Sequence, residues 1–288
     1  LKADGTADEG TGTLTFLASS KATSANTTTG AITLRGADLD LDTTGGAIVD
    51  ATGAGGGVGI RSSVASRPMS LGGTNTAVTG INLTDAELGK LQTLASGTVA
   101  FGDTAQTGDL TFTTATPATT AGAAIVVTQA TAGAGKIVLD DAGAGTALAG
   151  GSSTVSLTAG TGGITAASAN NTYAELATTG ATVTLNTTGA IGTSANRIQL
   201  ADNTTTSQQN VVIGAANQPS SVYLDGLGTL TLGNVSTNTS NASVDVTART
   251  GLNVNGTVTT GTGTLSLGAD LKADGTADEG TGTLTFLA

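Results

Sequence analysis

The first eighteen residues of the chain, LKADGTADEGTGTLTFLA, recur without a single change as residues 271–288. An identical segment at the two ends of the chain indicates a tandem repeat, and such a repeat sharply limits the choice of fold. We therefore expect residues 1–288 to be one segment of an array, a 270-residue unit with an 18-residue overlap at the join. An array of this kind favours an architecture that stays open along one axis, because each repeat then contacts only its neighbours.

Short runs in which apolar and polar residues alternate recur roughly every 12 to 20 residues, separated by Gly, Asn, Asp, Ser and Thr. Alternation with a period of two predicts strands with one buried face, and the intervening residue types favour turns. At ~20 residues per turn of the chain, the 270-residue unit would make roughly 13–14 rungs. Clear examples of the runs are GTLTF (12–16), GAITL (30–34), STVSL (153–157), ATVTL (181–185), QNVVI (209–213), GTLTL (228–232) and GTLSL (263–267).

Two all-β architectures fit this pattern: a parallel β-solenoid (β-helix), and an antiparallel sandwich repeated in tandem. A sandwich draws its core from large residues, whereas aromatic residues make up only 2% of this chain. A solenoid tolerates small residues, and its open ends suit a tandem repeat, so we predict one elongated β-solenoid over residues 1–288. The predicted core ladder consists of Leu14, Phe16, Ile32, Leu34, Val183, Leu185, Val211, Ile213, Leu230, Leu232, Leu265 and Leu267.

One segment, residues 72–94, interrupts the strand pattern. Thr84 and Glu87 stand three residues apart in LTDAEL, the spacing of a capping box in which each side chain binds the backbone of the other residue. Gly89 would end such a helix after little more than one turn. We predict an inserted loop with a short helix near 83–90 that covers one side of the solenoid.

Two stretches of the chain resemble the repeats of giant bacterial surface proteins: GAITLRGADLDLDTTGGAI at 30–48, and MSLGG, INLTDAELGKL, GTVAFGD and TGDLTF within 69–112. The proteins in question are the filamentous-haemagglutinin-like and autotransporter-like proteins with β-helix repeats. The resemblance implies a secreted, elongated, right-handed parallel β-helix. It carries over no catalytic residue.

The composition excludes several kinds of chemistry. The chain has no His and no Cys, so a Ser–His–Asp triad, a thiol nucleophile and the usual zinc sites are excluded. The glycine-rich run TGAGGGVGI (52–60) has the wrong spacing for a dinucleotide loop and precedes no helical pattern. We therefore expect no enzymatic activity. The net charge of −11 argues against nucleic acid as a partner, and the lack of a long apolar run argues against membrane insertion by this segment.

Two acidic clusters are candidates for binding Ca²⁺, a cation that takes about six to eight oxygen ligands. Neither cluster has the spacing of a known calcium loop, and the competing interpretation is a solvated acidic face that keeps filaments apart. The clusters are Asp38, Asp40 and Asp42 in ADLDLD, and Asp4, Asp8 and Glu9 in ADGTADEG.

The sequence predicts a structural component of a long extracellular bacterial filament or fibrous adhesin, in which neighbouring repeats cover each other's ends. A composition rich in Thr, Gly, Asn and Asp, without cysteine, fits the bacterial cell surface. Whether such filaments bundle side by side is left open. The alternative is a binding module, for a receptor, a glycan or ice, with the rod as its stalk. Burial of Leu83, Leu88 and Leu91 would indicate a structural insert, whereas their exposure would indicate a partner.

Overall fold

The computed structural model describes residues 11–24, 30–46, 48–53, 56–202, 209–238, 240–278 and 280–287. These residues form twenty-eight strands and one short helix, α1 (Asp85–Leu88). The strands are β1 (Thr13–Phe16), β2 (Lys21–Thr23), β3 (Ala31–Gly36), β4 (Asp38–Leu41), β5 (Ile48–Ala51), β6 (Gly57–Ser62), β7 (Met69–Gly72), β8 (Ile81–Thr84), β9 (Leu91–Thr93), β10 (Thr98–Gly102), β11 (Leu110–Thr113), β12 (Ala124–Thr128), β13 (Lys136–Asp140), β14 (Leu148–Gly151), β15 (Val155–Thr158), β16 (Gly163–Ala166), β17 (Leu176–Thr178), β18 (Thr182–Asn186), β19 (Ala190–Ile191), β20 (Ile198–Asp202), β21 (Gln209–Ile213), β22 (Ser221–Gly226), β23 (Thr229–Ser236), β24 (Val244–Ala248), β25 (Gly251–Val254), β26 (Val258–Thr259), β27 (Leu265–Ala269) and β28 (Thr283–Phe286).

The strands form because side chains alternate between the two faces of an extended backbone. The burial pattern of β12 is typical: Ile125 and Val127 are buried, whereas Ala124, Val126 and Thr128 are partly exposed. β-Branched residues on both faces fit a pleated backbone well. Each strand therefore presents one apolar face to the core and one small, polar face to solvent.

Ten strands form the long path of the first sheet, in the order β28-β25-β23-β21-β18-β15-β12-β10-β6-β3, with β26 beside β23. Like side chains stack on one another, and in the middle of the sheet the same number of residues separates each stacked pair: Val155 pairs with Val183, and Val183 with Val211. The step is shorter from β21 to β23 and longer from β25 to β28. After each step the chain returns to the same sheet, one rung further along.

After most strands of the first sheet, the next strand along the chain belongs to a second sheet of twelve strands. Its path is β14-β17-β20-β22-β19-β16-β13-β11-β7-β8, and β24 joins β22 to β27. The sheet branches at β22, where Val222 pairs with Ile191 of β19 and Leu224 pairs with Ile198 of β20. Two small sheets, β1-β4 and β2-β5-β9, complete the amino-terminal end.

The 72–94 segment adds a strand to the stack instead of forming only a loop. β8 pairs with the side of β7 opposite β11, and β9 then pairs with β5 of the small sheet. Thr84 and Glu87 form the reciprocal capping box of α1. Glu87 Oε1 also accepts a hydrogen bond from Leu41 N of β4, at 2.9 Å. The helix therefore fastens the inserted strand to the preceding rung.

The core is one continuous cluster of apolar side chains that runs through the stacked strands. Phe101 and Phe112 meet in it edge to face, with ring centroids 5.7 Å apart. Each fully buried aliphatic side chain contributes about 1.5–3 kcal/mol to the free energy of folding. Of the predicted ladder, the buried members are Leu34, Val183, Leu185, Val211, Ile213, Leu230 and Leu232, and the partly buried ones are Leu14, Phe16, Ile32 and Leu267.

Leu265 departs from the predicted ladder, because its side chain is 45% exposed. β27, which contains it, pairs with β24 on one side. Within the described ranges, no strand pairs with its other side. Leu265 thus lacks a neighbour one rung further on and belongs to the end of the stack.

Every pairing between two of these strands is parallel. The fold is therefore nearly all parallel β-sheet, which contradicts an antiparallel sandwich and is compatible with a β-solenoid. The expected spacing of ~20 residues per rung was too short. One return of the chain includes a strand of each long sheet and often a third strand, so the first sheet has ten rungs among the described residues and not 13–14.

Candidate functional site

β4 carries part of the acidic cluster on its outer face. Leu39 and Leu41 are 2% and 1% exposed, whereas Asp40 between them points to solvent. Asp38 Oδ1 accepts hydrogen bonds from Leu39 N at 2.9 Å and from Asn82 N at 2.8 Å. Asp38 therefore holds β8 against β4, in a place where the two strands do not pair through their backbones.

Asp42 stabilises the turn that follows β4. Its Oδ1 accepts hydrogen bonds from Gly45 N at 2.9 Å and from both the amide and the hydroxyl of Thr44 at 2.8 Å. These bonds, that from Gly45 first, lower the pKa of Asp42 below its ordinary value, because they favour the charged carboxylate. The oxygen is thus engaged with the chain's own backbone.

A polar groove separates β4 from the loop that precedes β8. Three adjoining pockets of ≈ 430, ≈ 420 and ≈ 220 Å³ share Asn75 in their linings, and Asp38, Asp40 and Glu87 face the smallest. In the described part of the chain, no group of three or more His, Cys, Asp or Glu side chains could hold a metal ion. The other candidate cluster, Asp4, Asp8 and Glu9, lies outside the described residues.

The leucines of the inserted segment are all internal. Leu83, Leu88 and Leu91 are 0% exposed. They pack into the same cluster as the rest of the core. The insertion is therefore a structural part of the stack, and these leucines offer no apolar face to a partner.

In the second half of the chain, polar side chains of successive rungs lie one above another and form hydrogen bonds between the rungs. Asn171 N donates to Gln199 Oε1 at 2.7 Å, and Gln199 Nε2 donates to Asp225 Oδ2 at 2.9 Å. Arg249 lies beyond Asp225 and forms an ion pair of 3.2 Å with it. We name this column the buried polar ladder, after its four buried members Asp141, Glu175, Gln199 and Asp225; its other members, Asn171 and Arg249, are partly exposed.

Asp141 stands at the amino-terminal end of the buried polar ladder. Its Oδ1 accepts hydrogen bonds from Ser168 Oγ at 2.7 Å and from Gly143 N at 2.9 Å, and Asn171 Nδ2 donates to Oδ2. Burial alone would raise the pKa of Asp141, but these hydrogen bonds outweigh burial and hold the pKa below its ordinary value. Asp141 is therefore a buried carboxylate with its charge compensated by donors.

Glu175 is the member of the ladder whose environment suits its neutral form. The side chain is 1% exposed; Oε2 accepts a hydrogen bond from Gln199 N at 2.6 Å, and Oε1 has no partner among the described residues. Burial raises the pKa of Glu175 to about 8, against the hydrogen bond from Gln199, and the charges of Asp141 and Asp225 add to the rise. At neutral pH this carboxyl group is therefore mainly protonated.

A second ion pair, between a buried arginine and a partly exposed aspartate, lies beside the ladder. Arg197 is 6% exposed, and its guanidinium pairs with Asp245 at 2.8 Å. It also donates to the carbonyl oxygens of Leu224, at 3.2 Å, and of Asp245, at 3.1 Å. The guanidinium thus joins side chain and backbone across three rungs.

Burial decides what these charged groups can do. Asp141, Glu175 and Asp225 are at most 1% exposed, so none of them presents an oxygen to a substrate in solution. Two carboxyl groups and an arginine in an open cleft would suit acid–base chemistry, but here the carboxyl groups are enclosed between rungs. The arrangement serves to fix the register of the stack.

The carboxyl-terminal end of the stack exposes large apolar side chains. Leu284 and Phe286 of β28 are 41% and 69% exposed, and Leu265 of β27 is 45% exposed. Their counterparts one rung earlier in the first sheet, Leu252 and Val254, are 0% and 5% exposed. The side chains of β27 and β28 are apolar like those of the rungs before them. They are exposed because no further rung covers them in the described ranges.

The two copies of the eighteen-residue segment occupy different places in the stack. β1 pairs with β4, which lies against the second sheet, whereas β28 is the edge strand of the first sheet. Phe16 is accordingly partly buried against the core, and its copy Phe286 is exposed. Identical sequences thus form two different rungs.

Comparison of the chain with protein-family models, with curated proteins and with solved structures finds no match. Within the described ranges, no helix combines the length and the apolar character that crossing a membrane would require. The class of the protein therefore rests on its own geometry, which is that of stacked parallel strands.

The sequence pattern did not reveal the buried polar ladder. Leu176, Ala177 and Thr178 of β17 are all buried, so the strand beside Glu175 shows no alternation between an inner and an outer face. A signal was nevertheless present: Glu175 and Gln199 each stand next to a short apolar strand, in a chain with only 11% charged residues. To recognise the ladder, one would have to know how many residues separate stacked positions on successive rungs, and this number varies along the chain.

Proposed function

We propose that this chain is a segment of a long extracellular bacterial filament or fibrous adhesin, built as a right-handed parallel β-solenoid. The observation that carries the proposal is a pair of parallel sheets that run in register through most of the chain; among the described residues, no strand pairs with the outer side of β3, β27 or β28. Open edges are a hazard to a protein that acts alone, because they pair with other strands. They are suited to a chain whose neighbour continues the stack.

The sequence repeat supplies the neighbour. Residues 1–18 and 271–288 are identical, as expected where consecutive 270-residue units join. Each rung contacts mainly the rungs beside it, so stability adds up along the array and no core limits its length. The length of the fibre then scales with the number of units.

The surface fits an extracellular fibre that must stay hydrated. The net charge is −11, and Asp40 and other carboxylates lie on outer faces of strands. Like charge on neighbouring fibres opposes their nonspecific association. The resemblance of residues 30–48 and 69–112 to giant bacterial surface proteins supports a place at the bacterial cell surface.

The test is the axial repeat of native fibres, or of a chain carrying several units, measured by electron microscopy with averaging and by fibre diffraction. Ten rungs in each unit, at a spacing of ~4.8 Å, give an axial repeat of about 48 Å. A ~4.8 Å meridional reflection together with this longer repeat is the expected result. Beads on a string at an unrelated spacing would contradict the proposal, because they would mean separate folded bodies.

A further inference from the structure

A segment without strand structure, residues 167–175, connects β16 to β17 and lies over part of the buried polar ladder. We name this segment the strap. Several of its residues are exposed, Tyr173 among them, whereas Ala174 and Glu175 at its carboxyl-terminal end are buried. The strap is therefore a short stretch of chain that separates the ladder from solvent.

The middle of the strap is fastened mainly through side chains. Ser168 Oγ donates a hydrogen bond to Asp141 Oδ1 at 2.7 Å, and the side-chain amide of Asn171 donates to Asp141 Oδ2. Asn171 N donates to Gln199 Oε1 at 2.7 Å, and Asn171 O accepts a bond from Arg249 Nη2 at 2.8 Å. A strand inside a long sheet has a backbone ladder on both sides, so the strap can open at a lower free energy than such a strand.

The carboxyl group of Glu175 fastens the end of the strap that precedes β17. Its Oε2 accepts a hydrogen bond from Gln199 N at 2.6 Å, and the backbone N of Glu175 donates to Gln199 O at 2.9 Å. Side chain and backbone of one residue thus bond both the N–H and the C=O of Gln199. Displacement of the carboxyl group would therefore loosen the strap from β20.

The three carboxyl groups of the ladder differ in the donors that surround them. Asp141 accepts hydrogen bonds at both of its carboxylate oxygens. Asp225 accepts bonds from Thr247 Oγ1 at 2.8 Å and from Arg249 Nη2 at 3.2 Å. Glu175 accepts only at Oε2, because its Oε1 has no partner among the described residues. A buried carboxylate needs donors in place of water, so the closed strap suits Glu175 in its neutral form.

The charges around Glu175 favour the neutral form as well. Its charged neighbours, taken element by element, are Asp141 after β13, Asp225 in β22, Arg249 after β24, and the Arg197–Asp245 pair that joins β20 to β24. Both arginines are already paired with aspartates, so neither is left to compensate a further carboxylate. Burial first, and then the charges of Asp141 and Asp225, raise the pKa of Glu175 to about 8.

We propose that the strap is a pH-sensitive element, which lies closed over the ladder while the Glu175 carboxyl group is protonated and opens locally when that group ionises. In the open form, water supplies the donors that the closed site lacks. The two long sheets stay folded, because their strands pair without the strap. The inference concerns the interior of this chain and does not depend on the proposed fibre.

The direction of the pH dependence follows from the two forms. Glu175 has its ordinary pKa of 4.5 when the strap is open, and it keeps its proton up to about pH 8 when the strap is closed. Closure is therefore favoured most below pH 4.5 and weakens as pH rises toward 8, by up to about tenfold in the opening equilibrium for each pH unit. Above about pH 8 the effect levels off.

A single introduced thiol can report on the strap, because the chain has no cysteine. Ala174→Cys places the thiol in the strap, at a position that is 3% exposed. Ala123→Cys, at a 0% exposed position before β12, is the matched control outside the strap. Each variant is labelled with dithiodipyridine at several pH values between 5 and 8. The rate is divided by that of the same variant unfolded in urea at the same pH, which removes the effect of pH on the thiol itself.

We expect the relative labelling rate of the Ala174→Cys variant to rise by about tenfold for each pH unit and to exceed that of the control at least tenfold at pH 8. Adding Glu175→Gln to the Ala174→Cys variant should make the rate independent of pH, because the amide does not ionise. Circular dichroism with thermal melting checks the fold of each variant.

Three results would overturn the proposal. A rate that does not change with pH would mean that Glu175 does not control the strap, and a rise that persists with Glu175→Gln would assign the control to another group. Equal relative rates for the two thiols would mean that the whole chain opens and not the strap. If a variant does not fold, amide hydrogen exchange of residues 167–175 and of β12 in the unaltered chain, corrected for the intrinsic effect of pH, makes the same comparison.

Discussion

Single buried polar residues help to fix the register between rungs, although most residues of this chain are small or apolar. Some buried polar side chains bond within their own loop, as Asn82 does with Gly80, whereas others find their partners on a neighbouring rung. Gln199 does so in both directions, toward Asn171 and toward Asp225. A slip of one residue would leave these groups unpaired in the core, at a cost of about 1–3 kcal/mol each. The buried polar ladder therefore specifies register where the apolar strands alone, being alike, would not.

Glu175 gives the ladder a measurable pH dependence. Its folded-state pKa of about 8 lies above its ordinary value of 4.5, so between these two pH values the unfolded chain loses the proton while the folded chain keeps it. The free energy of unfolding should therefore fall as pH rises through this window, by up to about 1.4 kcal/mol per pH unit, and level off above pH 8. Urea titrations across the window measure the slope.

Glu175→Gln should remove that slope, because the amide keeps an acceptor for Gln199 N and does not ionise. Asp40→Asn, a change of the same kind at an exposed position, is the matched control and should leave the slope in place. An unchanged slope in the Glu175→Gln variant would mean that another group is responsible.

For the secondary-structure elements, the sequence predicted where strands and the helix form, but it did not predict which strands pair with each other. Alternation in runs such as ATVTL predicted the strands, and the LTDAEL spacing predicted the helix with its cap. The fold-back of β8 between β4 and β7 was not predictable, because the same four-residue strand would suit any open edge. The branch of the second sheet at β22 was not predictable either. The number of residues between one rung and the next decides which strands pair, and this number differs along the chain, as from β21 to β23 and from β25 to β28.

Turns at the ends of strands depend on particular glycines. Gly57 starts β6 with φ +79°, and a Cβ at this position would lie 1.9 Å from Thr98 O of the next rung. Gly59, two residues along the same strand, would place a Cβ 3.6 Å from its nearest neighbour, Thr33 Oγ1. The two glycines therefore have different roles although they belong to one strand.

Gly57→Ala should destabilise the fold by about 1–3 kcal/mol from the backbone conformation alone, with a further loss from the clash. Gly59→Ala should be neutral or stabilise by up to about 1 kcal/mol, because it reduces the freedom of the unfolded chain. Denaturant midpoints of the two variants provide the comparison. Equal effects would show that the close approach to Thr98 does not limit this turn.

For the whole molecule, stability is distributed along an axis and not around a centre. The longest sheets connect rungs only to their neighbours, so rungs in the middle are supported from two sides and terminal ones from one. The ends should therefore open at a lower free energy than the middle.

Hydrogen exchange of the 288-residue chain should reveal this gradient. We expect the fastest exchange in β1, β2, β27 and β28 and the slowest in β12, β15 and β18, which lie in the interior of the first sheet. Mass spectrometry of peptides from each region measures it. Uniform protection along the chain would contradict the expectation and indicate a single cooperative unit.

The direction of the hydrogen bonds has a mechanical consequence. Strands lie across the axis, so a pull along the fibre loads the bonds between rungs and not the covalent backbone. A rung that yields releases roughly 20–30 residues, equivalent to about 70–110 Å of extended chain. A tether of this construction responds to a sudden load by lengthening in steps, and its covalent chain stays intact while it does so.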